Sequence, residues 1–480
     1  MSGNSSGGKA IKAGIGYTIG NILIRGVSFL LLPIFSRLMD TDQFGIYNAF
    51  LSYDSILYVI TGMALHSSIK SAHYTFKGKI DEYVSSVSLI YIINFTIFNI
   101  IAIVFGKKLS ALLDLPILAI YMLLVYSSGT ALLTLYNNRI SLDYSYKKYL
   151  TISFINTIGN IGLSLLLILT VFNSQRSLGR IVGTSAVIGI IAIYILAYFY
   201  KKAKPKYRRD YWKFGIIYSL PIIPHGISQV LLSQFDRIMI RSMVSNSATG
   251  IYSLAANLKI ILSVISESIS TAWSTWFFEE IDKGNTKSIQ KRAVQMVCLF
   301  GVLVIGLMAI SPELILFLGG EEYINGKYVA IPMLIDCFIL FMYNIIVPSE
   351  YYTKKTKYIM LGTMFSATIN VITNYIFILK YGYCAAAYTT LFSYICYVLL
   401  HMVISKKLVG FHVLPLVKIL PVTISIILCA TSDLLLIDVI IIRLCINAII
   451  ISLWIVYLYR QIKKEGIDIF SVLLRKLKSR

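Results

Sequence analysis

The chain has 480 residues, 57% of them hydrophobic and 14% charged, with a mean hydropathy of +0.76. Soluble domains carry roughly 25% charged residues, so a water-soluble globular fold is excluded. The formal charge of +22 would point to nucleic acid in a soluble chain; in a membrane chain its placement decides its meaning, and no nucleic-acid partner is expected.

In chain order, residues 1–8 are a Ser/Gly-rich polar tail, and the first apolar run covers 14–35. That run is too long for a signal-peptide core and has no small-residue cleavage site after it, so it is expected to stay in the protein. About 20 apolar residues cross ~30 Å of hydrocarbon. On that measure fourteen spans are expected, at 14–35, 45–69, 84–105, 116–137, 150–172, 178–200, 214–240, 249–276, 293–310, 328–352, 358–379, 383–404, 414–432 and 434–459. With both termini in the cytoplasm, Lys and Arg in the cytoplasmic segments outnumber those in the external segments by more than roughly four to one. A multi-pass protein of a bacterial or archaeal cytoplasmic membrane is therefore expected. The basic stretch 201–213 is the strongest topology signal and fits contact with anionic headgroups. The six cysteines lie scattered in apolar runs, without metal-ligand or disulfide spacing, and read as small hydrophobes.

The chain echoes itself. Arg37-Leu-Met-Asp-Thr-Asp-Gln-Phe-Gly45-Ile-Tyr47 is matched by Arg241-Ser-Met-Val-Ser-Asn-Ser-Ala-Thr-Gly250-Ile-Tyr252. Lys148-Tyr149 and Lys357-Tyr358 each open a helix that carries two Asn, at 156 and 160 and at 370 and 374. Six spans per unit place both units in the same orientation, which predicts parallel repeats about an axis along the membrane normal. The expected fold is an all-α polytopic membrane protein with two parallel six-helix repeats around a central cavity plus two C-terminal helices. The expected divisions are an N-terminal lobe at 1–200, a basic linker at 201–213, a second lobe at 214–405, and two further helices with a basic tail at 406–480. No loop is long enough for an outer domain.

Charges inside spans are the candidate functional residues, because each costs about 2.5–3.5 kcal/mol at the bilayer centre. Arg25 lies near the middle of the first span, about 16 Å from either end at 1.5 Å per residue, beyond the reach of snorkelling. It faces either a wet cavity or a carboxylate such as Asp54. Asp54 and Lys259 follow Gly45 and Gly250 by the same number of residues, so they are expected at matching heights with opposite sign, as a gate or as a permanent pair. Glu267, two turns from Lys259, is a candidate coupling-ion or proton site together with Asp54, on the premise of a desolvated carboxylate. Asp236, Arg237 and Arg241 are read as outer-end residues of the 214–240 span. Asp336 and Asp438 are placed in the outer halves of their spans, Glu350 and Lys418 at the inner boundary, Arg180 within the membrane, and Arg443 deep but outside the repeat. Pro221 and Pro224 predict a kink that would serve as a hinge. His225 reads as a packed neutral histidine. Most of the 34 tyrosines suit membrane interfaces, with Tyr58 and Tyr375 deeper. Asp40-Thr-Asp42 resembles a metal-binding D-x-D, but ahead of Gly45 it reads as a turn and helix cap.

The run over 16–50, GYTIGNILIRGVSFLLLPIFSRLMDTDQFGIYNAF, resembles the N-terminal signature of Wzx-type polysaccharide-biosynthesis flippases of the multidrug/oligosaccharidyl-lipid/polysaccharide exporter superfamily. The runs SQFDRIMIRSMVSNSATGIYSLAANLK over 233–259 and YGYCAAAYTTLFS over 381–393 are similar to later stretches of that family. The resemblance covers about the first 405 residues. It implies a non-enzymatic transporter that moves polyprenyl-diphosphate-linked oligosaccharide to the outer leaflet for O-antigen, capsule or exopolysaccharide, with the bilayer and the polysaccharide polymerase machinery as partners. It implies no cofactor beyond a coupling proton or Na+, and a cationic cavity to which Arg25 and Lys259 would correspond, with Asp54 as a departure. The alternatives are a multidrug/cation antiporter or lipid II flippase of the same superfamily, and more remotely a membrane polymerase or ligase. An enzyme of that kind needs acid/base or metal residues on a sizeable external loop, and the sequence supplies no such loop.

Overall fold

The computed structural model describes residues 3–463; the end of the expected basic tail, from 464 on, lies outside them. Every element among the described residues is helical, as hydrocarbon requires of a chain that must satisfy its own backbone N–H and C=O groups. In chain order the helices are α1 (Gly3–Leu30), α2 (Leu32–Leu38), α3 (Thr41–Gly62), α4 (Ile69–Thr75), α5 (Ile80–Leu113), α6 (Ile117–Ser141), α7 (Tyr146–Thr170), α8 (Arg176–Lys202), α9 (Arg209–Ser219) and α10 (Ile222–Met243). They continue as α11 (Asn246–Asn257), α12 (Lys259–Asp282), α13 (Thr286–Ala309), α14 (Ser311–Gly319), α15 (Lys327–Ile346), α16 (Pro348–Tyr352), α17 (Thr356–Tyr381), α18 (Cys384–Val409), α19 (Leu416–Leu435) and α20 (Ile440–Lys463).

Twelve stretches are long and apolar enough to cross a membrane, and a bent pair, α9 with α10, makes up to thirteen. The chain is a multi-pass membrane protein. Against the fourteen spans expected, the difference is α3. It is a 22-residue helix, but its buried side chains include Asn48, Ser52, Asp54 and Thr61. It packs among α5, α6, α8 and α10, so it needs less apolar surface than a helix facing lipid. The expected kink is present: α9 and α10 meet at 43°, where Pro221 precedes α10 and Pro224 lies in its first turn. Asp40 caps α3, its carboxylate accepting from the Gln43 N–H at 2.8 Å.

The chain forms two compact units. The first comprises 1–253 with 318–323 and 367–386. Its core joins α5, α6 and α8 through Tyr83, Tyr91, Leu132, Tyr136, Ile195 and Phe199. A close backbone crossing joins the two Gly-Ile-Tyr echoes. A Cβ on Gly45 would fall 1.9 Å from the Asn246 carbonyl oxygen, and one on Gly250 would fall 2.1 Å from that of Thr41. The contact is reciprocal, each glycine meeting the carbonyl four residues before the other, and only residues without a side chain allow backbones this close. Beside it the Thr41 and Ser247 hydroxyls are 2.7 Å apart.

The second unit comprises 254–317, 324–366 and 387–480. Phe300 and Phe341 stack at 4.1 Å between α13 and α15, and the fully buried Trp273 of α12 donates to the Ile345 carbonyl at 2.9 Å. Arg443 is fully buried. It donates to the carbonyls of Ala309, at 3.1 Å, and Ile437, and to Glu313. Those groups end α13, join α19 to α20 and begin α14, so Arg443 ties three chain ends together. One hydrogen bond to a charged group contributes about 1.5–3 kcal/mol. Arg443→Ala should therefore lower the thermal midpoint of the purified protein by at least the equivalent of one such bond. An unchanged midpoint would show that the ties carry no stability.

Candidate functional site

In a bilayer a buried charge must be bonded inside the protein or face water, so the partners of each intramembrane charge define what it can do. In the first unit Arg25 is half-buried on α1. Asp54 on α3 is 8% exposed and accepts a 2.7 Å hydrogen bond from Ser127 of α6, itself fully buried. Arg180 of α8 lies over the rings of Phe35 and Tyr47, its guanidinium carbon 3.8 and 4.0 Å from their centroids. A guanidinium on an aromatic face is held by the ring quadrupole without a counter-charge.

The residues read as an outer-end group of the 214–240 span are more elaborately bonded than that reading implied. Asp236 of α10 is 4% exposed, with Tyr252 donating at 2.6 Å and Asn374 of α17 at 2.7 Å. Asn374 also donates to Asn370 at 3.1 Å, and both amides are fully buried. Here the Asn pair of the second echo serves a carboxylate. Next to it, Arg237 donates to Ser253 at 3.2 Å and to Gln234. Arg241 holds the end of α5, reaching the carbonyls of Leu113 and Asp114, the Asp114 carboxylate at 3.0 Å and Asn246 at 2.7 Å. Asp236 is thus a buried carboxylate bonded by Tyr252 and Asn374 next to Arg237, whereas Arg241 is a structural tie.

In the second unit Lys259 stands at the junction of α11 and α12. Its Nζ is 3.4 Å from Asp336 of α15, with side chains 28% and 1% exposed. Asp54 and Lys259, expected to face one another, therefore each have a partner within their own unit, and Asp336 is the carboxylate that neutralises Lys259. Glu267 lies on the exposed surface of α12. Asp438, placed in an outer half-helix, bridges Lys327 at 2.6 Å. Glu350, expected at the boundary, is instead fully buried against His401 of α18 at 2.5 Å. Sequence reasoning did not single out Ser127, Asn374 as a carboxylate donor, or His401. These partners lie 73, 138 and 51 residues from the charges they meet, and no local spacing marks them. His225 is half-buried. Among the described residues no three His, Cys, Asp or Glu side chains are placed to hold a metal ion, and the six cysteines are free thiols.

The site is therefore a set of charges on apolar helices, bonded to partners from other helices. Comparison with known proteins agrees in fold. The family model described as polysaccharide biosynthesis protein matches residues 11–281, and the MatE model matches 221–376. The chain is 23% identical over 376 residues to a protein of the Lsg locus of Haemophilus influenzae, which covers 76% of this chain and 90% of that one. Its fold is similar to that of the lipid II flippase MurJ in an inward closed conformation, with a TM-score of 0.65 at 17% identity over 93% of this chain and 99% of that one. It is also similar to an inward-facing multidrug resistance MATE family transporter of the MOP superfamily, with a TM-score of 0.59 at 11% identity over 81% and 98% of the two chains.

Lys259→Ala removes the cation from beside the buried Asp336 carboxylate. The expected loss is somewhat under the 3–5 kcal/mol or so typical of a broken buried pair, because Lys259 keeps 28% exposure. Adding Asp336→Asn should restore the thermal midpoint; a double variant as unstable as the single one would show that the lost stability does not come from this pair.

Proposed function

The chain belongs to the polysaccharide biosynthesis protein family, and from that premise we propose that it is a flippase carrying oligosaccharide units linked to polyprenyl diphosphate from the inner to the outer leaflet. The observation that carries this reading is the retention of cations on apolar helices, above all Arg25, half-buried in a membrane span, and Lys259 at a helix junction. A diphosphate cannot cross hydrocarbon bare, since an isolated ion there costs tens of kcal/mol by solvation alone, about the Born limit. Guanidinium meets it with two parallel hydrogen bonds and keeps its charge at any working pH; Lys259 adds a mobile point charge. The polyprenyl tail never leaves the lipid, because each buried CH2 is worth about 0.8 kcal/mol, so only the headgroup needs a path.

The MatE match over part of the chain favours one rival, antiport of organic cations. A cation-bearing path opposes it, because like charges in a low-dielectric setting repel the cargo. Lipid II is a third cargo, equally anionic in its diphosphate. Coupling to a proton or Na+ remains part of the proposal, with Asp54 and Asp236 as buried carboxylates able to take either ion, and Pro221 and Pro224 as the hinge.

Alternating access demands that the Gly45–Gly250 crossing open, since by the charge count it lies at the outward end. Thr41→Cys with Ser247→Cys places two thiols where hydroxyls are now 2.7 Å apart. In vesicles containing a labelled polyprenyl-diphosphate oligosaccharide, oxidation should slow leaflet transfer by more than about tenfold, a barrier rise of about 1.4 kcal/mol, and reductant should reverse it. Transfer at the unmodified rate with the disulfide formed would remove the gate. Failure of the unmodified protein to move any diphosphate-linked sugar, with an organic cation moved instead, would favour the antiporter.

A further inference from the structure

Glu350 and His401 lie in the second unit with both side chains at 0% exposure, and His401 Nδ1 is 2.5 Å from Glu350 Oε1. The pair is built into a joint. α15 stops at Ile346, and Pro348 starts the short α16 that carries Glu350. The neighbouring Ser349 hydroxyl donates to Ser405 of α18 at 2.7 Å. The imidazole is pressed against α17: a Cβ on Gly362 would lie 2.3 Å from His401 Nε2. Tyr343 and Tyr397 meet the ring edge-on at 5.0 and 4.5 Å, and the Tyr397 hydroxyl is 3.1 Å from that of Thr363. The titratable groups facing the pair are thus Tyr343 from α15, Tyr351 from α16 and Tyr397 from α18, while α17 contributes Gly362 and Thr363. Glu350 Oε2 and His401 Nε2 have no hydrogen-bond partner among the described residues.

The charge balance follows. With a single proton between them the two groups are neutral overall, either as imidazolium and carboxylate or as imidazole and carboxylic acid. Removing that proton leaves a net charge of −1, and adding a second leaves +1. A dry site packed by aromatic rings opposes both charged states, so a change in proton number requires the joint to admit water. Histidine is the side chain that ordinarily changes charge between about pH 5 and 8.

We propose that Glu350 and His401 form a proton-binding site whose occupancy sets the packing of the α15–α16 joint against α17 and α18. Its use in driving transport rests on the flippase reading above; the site itself does not.

The test is hydrogen exchange on the purified full-length protein in lipid nanodiscs, followed over about pH 5 to 9 and corrected for intrinsic exchange rates, with no cargo present. In the unmodified protein, protection of residues 343–355 and 395–405 should be greatest within that range and fall more than about tenfold toward at least one end, as local opening is expected to do. In Glu350→Gln and His401→Gln the dependence should flatten, while 286–309 of α13 keeps its protection and so reports that the fold is intact. A flat profile in the unmodified protein overturns the proposal, and that profile alone decides it should neither variant fold. Unaltered profiles in folded variants also overturn it, as does a change that follows Na+ at fixed pH instead of pH. Because no cargo is used, failure here leaves the transport reading standing, and failure of leaflet transfer leaves this site standing.

Discussion

Hydrocarbon offers no hydrogen bonds, and this constraint governs the structure at every scale. At the level of the backbone it leaves helices as the open solution for a chain of this composition, and the described residues take it. At the level of side chains it forces each intramembrane charge to find its partners within the protein. Arg443 does so through two carbonyls and Glu313, Asp236 through Tyr252 and Asn374, and Arg180 through aromatic faces. These solutions differ in what they leave over. A guanidinium spent on carbonyls at three chain ends is a fastener. The Asp236 carboxylate is held by a phenol and an amide from two other helices.

The same constraint explains which parts of the molecule the sequence discloses. Long apolar runs are a local property, so the spans could be placed from hydropathy alone. α3 departs from the count because it is shielded by other helices and can carry Asn48, Ser52 and Asp54. The breaks at Pro221 and the cap at Asp40 were equally legible, since each arises from the geometry of one or two residues. The candidate site was legible only by halves. A charge in an apolar run announces itself, as Arg25, Asp54 and Lys259 do, but its partner does not. Ser127 and His401 are ordinary in their local setting and lie 73 and 51 residues from the groups they bond. Glu350 shows the limit most clearly: a position near the end of a span says nothing of whether the next helix seals it in. The Gly-Ile-Tyr echo was visible as a repeat of letters, whereas the backbone contact between its two copies required the fold.

Function follows from what is left over once the structural charges are set aside. Fasteners such as Arg241 and Arg443 could be exchanged for apolar packing without touching a cargo. Arg25, half-buried in a membrane span, and Lys259, paired with Asp336 yet still partly exposed, are the cations that the flippase reading assigns to an anionic cargo. Under the flippase reading the anion is the diphosphate that joins sugar to lipid, and the tail of that lipid needs no protein at all. On that reading the bilayer would carry the isoprenoid and the protein the charge.

The most direct test compares leaflet transfer, in vesicles holding the purified protein, of one oligosaccharide carried on polyprenyl diphosphate with the same oligosaccharide on a neutral polyprenyl glycoside. The account predicts that the diphosphate-linked form crosses, the neutral form stays behind, and Arg25→Gln removes the difference by stopping the former. Equal transfer of both forms, or full transfer of the diphosphate form by Arg25→Gln, would contradict it.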